Sequence, residues 1–282
     1  MAQMHLLVGV MEPEKEISPS DRKVSVKMME ERDELMKNLD KEGIPYTRVW
    51  SKWPQDDFVS HKGEVFLRKD YGFYADGGYV FALDSMIIVG EHASRRQKGY
   101  NHTPEQRGRI LKMIFGETDY VVLPSPDCRW HPDMVPHIDL VSLPVPQKAK
   151  MYVDKRYLDM TKNSCKDDAQ RILGRRGNVL EEITERLGME LKAVRHDYSR
   201  PSYPCNTQVV EHEGDLYAIT NSDSKEFVHM LRKDGFRVIA VPFSANCSRG
   251  GSVHCATNLC PADKVEEIAG FLPARQKDIY DR

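Results

Sequence analysis

Nowhere in the 282 residues is there an apolar run of the roughly 20 that a membrane-spanning helix needs. No membrane span is therefore expected. An excess of one charge is also missing: 41 Lys and Arg stand against 43 Asp and Glu, a formal net charge of −2. Proteins built to hold nucleic acid usually carry a basic excess, so nucleic acid is not expected as a partner. Cysteine is sparse, with six residues at 128, 165, 205, 247, 255 and 260. That is too few for a disulfide scaffold in a chain of this length. The first residues, MAQMHLLVGVMEPEKE, have neither a basic start nor a long apolar stretch. No export signal is expected, and the thiols read as those of a reducing, cytoplasmic compartment. Low-complexity tracts and linkers are lacking too, which makes residues 1–282 a single domain. What is present is an ordinary globular composition, 40% hydrophobic and 30% charged, in a chain long enough to bury a large core.

The order of elements is regular. Met4–Val10 reads as a buried strand, Asp21–Glu42 as a helix with an apolar stripe at Val24, Met28, Leu35 and Leu39, and Ile44–Trp50 as a strand. Glu64–Leu67 is a short candidate strand. Then strand, strand, helix and strand recur three times. The first set is Tyr79–Leu83, Met86–Val89, Thr103–Phe115 and Tyr120–Leu123. The second is His137–Pro144, Lys150–Val153, Asp167–Leu187 and Met189–Val194. The third is Gln208–Val210, Leu216–Ile219, Ser224–Lys233 and Phe236–Val241. A C-terminal strand Gly251–Thr257 with helix Ala262–Phe271 is a partial copy, and the N-terminal strand, helix and strand make another. Five units give about 56 residues each, a period close to those of repeat arrays. A plain doubly wound sheet would alternate strands and helices singly, so the hairpin before each helix favours the repeat.

Four short stretches carry chemistry. Cys255 follows Gly250-Gly251 at the end of a predicted strand, where backbone can approach a ligand closely. It is either a nucleophile or a buried structural thiol. In His137-Ile138-Asp139 the period of two puts both polar side chains on one face of a predicted strand. They can supply an acid/base and its charge partner, or a polar strand face. Trp53-Pro54-Gln55-Asp56-Asp57 sets two carboxylates beside an aromatic, as a cation site or a solvated turn. Asp76-Gly77-Gly78 is an acid before a double glycine, or a plain turn. Zinc is set aside because no Cys-x-x-Cys pair occurs and because His254 and Cys255, neighbours on one strand, would face opposite sides.

In chain order these stretches read Trp-x-Gln-Asp, Asp-Gly-Gly, His-x-Asp and Gly-x-x-His-Cys-x-Thr-Asn. That constellation resembles the guanidine-modifying, or pentein, superfamily of arginine, agmatine and peptidylarginine deiminases, dimethylarginine hydrolases and amidinotransferases. The last motif is especially similar to that of peptidylarginine deiminases. The hairpin from Tyr79 to Arg96 resembles the arginine deiminase pattern, with Ser94-Arg95-Arg96 after it. The resemblance implies a five-bladed, pseudo-symmetric α/β propeller of ββαβ-type repeats. It implies Cys255 as nucleophile, His137 as general acid/base, and Asp56 and Asp139 as bidentate guanidinium clamps, with Trp53 and Asp76 at the substrate. Asp57 stands beside Asp56, and either can be the clamp. Arg95, Arg96, Arg129 and Arg249 are the candidates for anchoring the substrate's far end, and Arg249 can instead be structural. The implied activity is hydrolysis of a small guanidino compound through a thiouronium on Cys255, with no metal or other cofactor, and a homodimer is compatible with it. Amidino transfer to an amine is the alternative. A non-catalytic, ribosome-binding propeller is a second one, against which the Cys and His motifs speak.

Overall fold

The structure, a computed structural model, describes residues 3–11, 18–67, 77–90, 112–116, 118–124, 137–161, 178–200 and 202–280. In chain order, β1 (Met4–Val10), helix α1 (Pro19–Glu42) and β2 (Tyr46–Trp50) precede a hairpin of β3 (Phe58–His61) and β4 (Glu64–Leu67). Next come β5 (Val80–Ala82), β6 (Met86–Gly90), a helical turn over 112–115 and β7 (Asp119–Leu123). β8 (Ser142–Val145), β9 (Lys150–Asp154), a helix over 155–161, α2 (Val179–Arg186) and β10 (Glu190–Val194) follow. β11 (Gln208–His212), β12 (Asp215–Asn221), α3 (Lys225–Lys233) and β13 (Arg237–Val241) form the next group, and β14 (Thr257–Pro261) and α4 (Val265–Tyr280) the last.

One pairing rule repeats. The first strand of each group lies antiparallel to the second, and the second lies parallel to the third: β5-β6-β7, β8-β9-β10 and β11-β12-β13. A parallel partner needs a crossover, and the helix between the second and third strands supplies it. The same ββαβ order holds in β14-β1-β2, whose first strand comes from the C-terminal end of the described chain and whose other two come from the N-terminal end. The two partial copies expected from the sequence are thus one blade, closed by pairs running from Met4↔Pro261 to Val8↔Thr257. The fifth sheet is the hairpin β3-β4, two-stranded among the described residues. These five sheets are the blades of an α/β propeller.

Local chemistry explains the boundaries. Helix α1 starts at Ser18, whose hydroxyl accepts the Asp21 N–H at 3.2 Å, and ends at Gly43 in the left-handed region, φ 70°. Met28, Leu35 and Leu39 are buried on its inner face. Helix α4 seals the seam between the closing blade and the β3-β4 hairpin, with Ile268 and Leu272 against Leu7, Val49 and Phe58. Two expected strands begin later than the sequence suggests: residues 138–140 form a 3₁₀ turn ahead of β8, and residues 253–256 form a helical turn ahead of β14. The expected helices over 103–115 and 167–187 are described only at 112–115 and Val179–Arg186, the rest of each lying outside the described residues.

His61 closes β3 in an apolar setting, edge-on to Phe115 with ring centroids 5.7 Å apart, and neither ring nitrogen has a hydrogen-bond partner among the described residues. Burial first, and then the charge of Lys62, hold its pKa below the ordinary 6.5. The folded protein therefore keeps this ring neutral where the unfolded chain takes up a proton. The resulting stability is present above about pH 6.5 and is lost as the pH falls below it. His61→Phe keeps the ring contact and removes the titration. The drop in urea midpoint between about pH 7.5 and pH 5.5 is expected to shrink in this variant, and an unchanged drop would contradict the assignment.

Candidate active site

Each blade is entered through a tight turn, and the chemistry-bearing residues sit in these turns. Asp56, Gly78, Asn206 and Cys255 each stand two residues before the first strand of their blade, at β3, β5, β11 and β14. His137 and Asp139 stand in the corresponding turn ahead of β8. The turns are 3₁₀ at Pro54–Asp56, Gly77–Tyr79 and Ile138–Leu140, and α-helical at Val253–Ala256. The turn before β11 is closed by the Asn206 N–H to the Tyr203 carbonyl at 3.0 Å. Pseudo-symmetry brings five equivalent positions of the repeat together, so residues up to about two hundred positions apart become neighbours.

The turns touch in a closed circuit. Gln55 Nε2 donates to the Gly77 carbonyl at 3.1 Å. The Gly78 backbone lies against the His137 ring, so closely that a Cβ there would stand 2.2 Å from Nδ1. The Asn206 amide joins Asp139 to the nucleophile turn: Nδ2 donates to Asp139 Oδ2 at 2.9 Å and to Cys255 Sγ at 3.2 Å, while Oδ1 accepts the N–H groups of Ser252 and Cys255 at 2.9 and 3.1 Å. Asn258, three residues past Cys255, closes the circuit by donating to the carbonyls of Pro54 and Phe58 at 3.1 and 3.0 Å. Gly251 lets the Trp53 ring lie beside Cys255, because a Cβ on it would fall 2.9 Å from Trp53 Cζ3 and 3.0 Å from Cys255 Cβ.

Donor atoms of His137, Asp139 and Cys255 lie within 4.8 Å of one another, all three side chains being buried. His137 Nδ1 is 3.9 Å from Asp56 Oδ1, and its ring rests on Tyr79 at a centroid distance of 4.4 Å. Asp57 instead receives the Ser51 hydroxyl, so of the two adjacent acids Asp56 is the one that faces His137. Asp139 Oδ2 accepts from Asn206, from His254 Nδ1 at 2.9 Å and from the Cys255 thiol at 3.5 Å. Its Oδ1 is buried and has no hydrogen-bond partner among the described residues. The two oxygens of Asp139 thus differ, Oδ2 being engaged by three groups of the site and Oδ1 by none among the described residues. The helical turn also corrects the argument used against zinc: it directs both His254 and Cys255 at Asp139 instead of at opposite faces. The period-two argument for His137 and Asp139 is corrected likewise, since a 3₁₀ turn and not a strand brings them together. The trio of thiol, imidazole and carboxylate is a set that could ligate a metal, and equally the set that covalent catalysis needs.

Burial is the largest influence on the Cys255 thiol and pushes its pKa well above the ordinary 9; Asp139 and Asp56 push it the same way. The Asn206 side chain and the Ser252 backbone N–H pull against them. Burial and the two acids thus favour the protonated thiol. Behind Trp53 lies Arg32, fully buried, its guanidinium carbon 5.2 Å from the ring centroid. It donates to the carbonyls of Gly9 and Lys52 at 2.8 and 2.6 Å and to Asn246 Oδ1. Burial lowers its pKa to about 10, so it remains a cation at neutral pH. It fixes the segment that carries Trp53 and Asp56.

Of the other expected residues, Arg249 is exposed and pairs with Asp21 at the start of α1, which is the structural role the sequence left open for it. Asp76, Arg95, Arg96 and Arg129 lie outside the described residues. Sequence reasoning missed Asn206 and Arg32 and saw in His254 only a zinc ligand. Aligning the five blade entries would have found Asn206, because it occupies the position that Cys255 and Asp56 hold in theirs.

No protein-family model matches the chain, and no curated protein sequence matches it. Solved structures do. SxtG, an amidinotransferase from Microseira wollei in the saxitoxin biosynthetic pathway, superposes with a TM-score of 0.62 at 13% identity, over 91% of this chain and 94% of that one. C. jejuni agmatine deiminase gives 0.59 at 13% identity, over 92% and 94%. The N-terminal domain of ArgZ, an arginine dihydrolase of the ornithine-ammonia cycle in cyanobacteria, gives 0.58 at 16% identity, over 91% and 97%. These are pentein-superfamily enzymes, and at such identities what this chain shares with them is the fold.

The contact between Gly78 and His137 yields a direct prediction. Gly78→Ala introduces an overlap that only displacement of the imidazole or of the turn relieves, and overpacking of this kind costs about 1–3 kcal/mol. Urea denaturation is expected to show a loss of that size, and a variant as stable as the parent would show that the two turns do not touch.

Proposed function

We propose that the protein is a cysteine-dependent hydrolase of a guanidino compound. The observation that carries this reading is the surroundings of the Cys255 thiol. Asp139 Oδ2 lies 3.5 Å from the sulfur, Asp56, 3.9 Å from His137 Nδ1, adds its negative charge to the same site, and the amide N–H groups of the thiol's own turn are directed at Asn206 Oδ1. An acyl-transfer site needs free N–H donors for a developing oxyanion. This site spends those donors internally and presents negative charge, which suits a cationic electrophile. A guanidinium is planar and cationic, and its N–H edges match carboxylate oxygens. The unpartnered, buried Asp139 Oδ1 is one such acceptor, and Asp56 is the other.

The chemistry follows. In the empty site the acids keep the thiol protonated. A bound guanidinium neutralises them, so the charge that holds the substrate also eases loss of the thiol proton. The thiol proton passes to His137, within the 4.8 Å cluster, and the thiolate attacks the central carbon of the guanidinium. His137 protonates the departing ammonia or alkylamine, leaving a thiouronium on Cys255. His137 then takes a proton from water as the oxygen attacks, and the C–S bond breaks to give a urea-type product and free thiol. Amidino transfer shares the first half and differs in the second attacker, an amine in place of water. The structural likeness to both an amidinotransferase and deiminases makes that the alternative. Offering arginine, agmatine, methylarginines and a peptidyl arginine, with and without an amine acceptor, and assaying ammonia, ureido and amidino products separately tests both readings. A protein that turns over none of them would sink the proposal.

Two outcomes are expected of variants. Cys255→Ser abolishes turnover while guanidine binding persists, and His137→Ala slows turnover about 10²–10⁴-fold, the share of a positioned acid/base; the check is steady-state kinetics beside calorimetric binding. Asp56→Asn has opposite effects on two measurements. Guanidinium affinity falls by orders of magnitude, since stranding one charge of a buried pair costs about 3–5 kcal/mol. The free Cys255 thiol, relieved of a neighbouring negative charge, reacts faster with iodoacetamide. If both quantities move in the same direction, Asp56 does not face the sulfur and the substrate together.

A further inference from the structure

Asn206 is fully buried, and every hydrogen-bonding direction of its side chain is engaged. Backbone N–H groups can only donate, so the atom facing those of Ser252 and Cys255 is Oδ1. The atom facing the Asp139 carboxylate and the Cys255 sulfur is then Nδ2. Its own carbonyl accepts the His254 N–H at 3.1 Å, which ties the turn to the residue on the other side of Asp139 Oδ2.

The segment leading to it is held under constraint. Tyr203 adopts φ 39°, a left-handed conformation that costs a bulky residue energy and persists only where surroundings enforce it. Hydrogen bonds at the neighbouring Ser202 enforce it. Ser202 and Asp154 bond the two ring nitrogens of His196 at 2.9 and 2.8 Å, and Asn221 Nδ2 and the Cys247 thiol both bond the Ser202 carbonyl, at 3.3 and 3.5 Å. The loop is latched to β9, β12 and the helical turn Ser244–Cys247, and delivers one amide to the sulfur.

We infer that Asn206 is a catalytic residue: its Nδ2–H group is the donor that stabilises the Cys255 thiolate, and the same amide, by occupying Asp139 Oδ2, leaves Asp139 Oδ1 for the guanidinium. The inference rests on the covalent guanidine reading above. It adds a neutral side-chain donor to the groups that face the sulfur. Asp139, Asp56 and burial oppose ionisation there, while Asn206 and the Ser252 N–H favour it. His137 lies within the 4.8 Å cluster, His254 is on Asp139, and the cation of Arg32 stands behind Trp53. Asn206 touches the reacting atom in every step that makes or breaks a C–S bond.

The test needs no substrate, so it is independent of whether a guanidine is ever turned over. The rate of Cys255 alkylation by iodoacetamide is followed by peptide mapping between about pH 7 and pH 9 in the parent, Asn206→Asp and Asn206→Ala. Asn206→Asp keeps the acceptor for the Ser252 and Cys255 amides and loses the donor. Asn206→Ala loses the donor without adding charge. Hydrogen bonds to charged groups are strong enough for their loss to slow a thiolate-limited reaction about ten- to a hundredfold at each pH. Both variants are expected to slow by that amount. Loosening of a merely structural residue would expose the buried thiol and speed the reaction. An unchanged or faster Asn206→Ala overturns the inference even if Asn206→Asp slows, because the slowing would then be the effect of the added charge.

Discussion

The pairing of β14 with β1 is the constraint on which the centre of this molecule depends. It joins the two ends of the described chain in one blade, through pairs from Met4↔Pro261 to Val8↔Thr257, and so turns a linear series of repeats into a ring. Closing so long a loop costs entropy that grows only slowly with length, and the paired strand together with the apolar contacts of Leu6, Leu7, Val8, Ala256 and Cys260 offsets it. Cys255 stands two residues before β14. The position of Cys255 is therefore set by the same pairing that closes the ring, and the Asn258 bonds to Pro54 and Phe58 carry that closure into the Asp56 turn.

Within the ring the electrostatics are deliberately unfavourable to the empty site. A buried thiol is placed among acids that keep it protonated, and one oxygen of Asp139 is buried with nothing bonded to it. Polar groups in that condition cost stability. The surrounding structure holds them in place. Glu31 on α1 accepts the Ala245 and Asn246 amides, and Arg32, the next residue, binds Gly9, Lys52 and Asn246 while supporting Trp53. Two adjacent residues of one helix thus brace the walls on either side of the sulfur. On the proposed reading, a cation entering between Asp56 and Asp139 relieves the repulsion, which makes recognition and activation of the thiol one event.

The periodic parts of this architecture were legible in the sequence. Amphipathic α1, the hairpins and the parallel strands all carry their hydrophobic period, and their expected bounds lie within a few residues of those observed. The blade entries were not legible, because each is a turn of three or four residues with no period to read. The strands forecast over 137–144 and 251–257 borrowed those turns from the strands that follow them. Local chemistry identified Cys255, His137 and the acids, since thiol, imidazole and carboxylate pairs are unusual enough to notice. Asn206 was invisible for the opposite reason: asparagine in a turn after proline is ordinary, and its importance lies wholly in what the ring brings to it. The difference between Asp56 and Asp57 was likewise relational: one of the two adjacent acids faces His137 and the other takes the Ser51 hydroxyl.

The central claim is that Cys255 attacks the carbon of a bound guanidinium and carries it as a thiouronium. Acid-quenching the protein in the presence of guanidino compounds, followed by mass spectrometry of the cysteine peptides, tests it directly. The account predicts a mass increase on the peptide carrying Cys255, absent from those carrying Cys205 and Cys247, and absent throughout in Cys255→Ser. Turnover of a guanidine with no adduct trapped on Cys255 at any quench time, or an adduct on another cysteine, would contradict it.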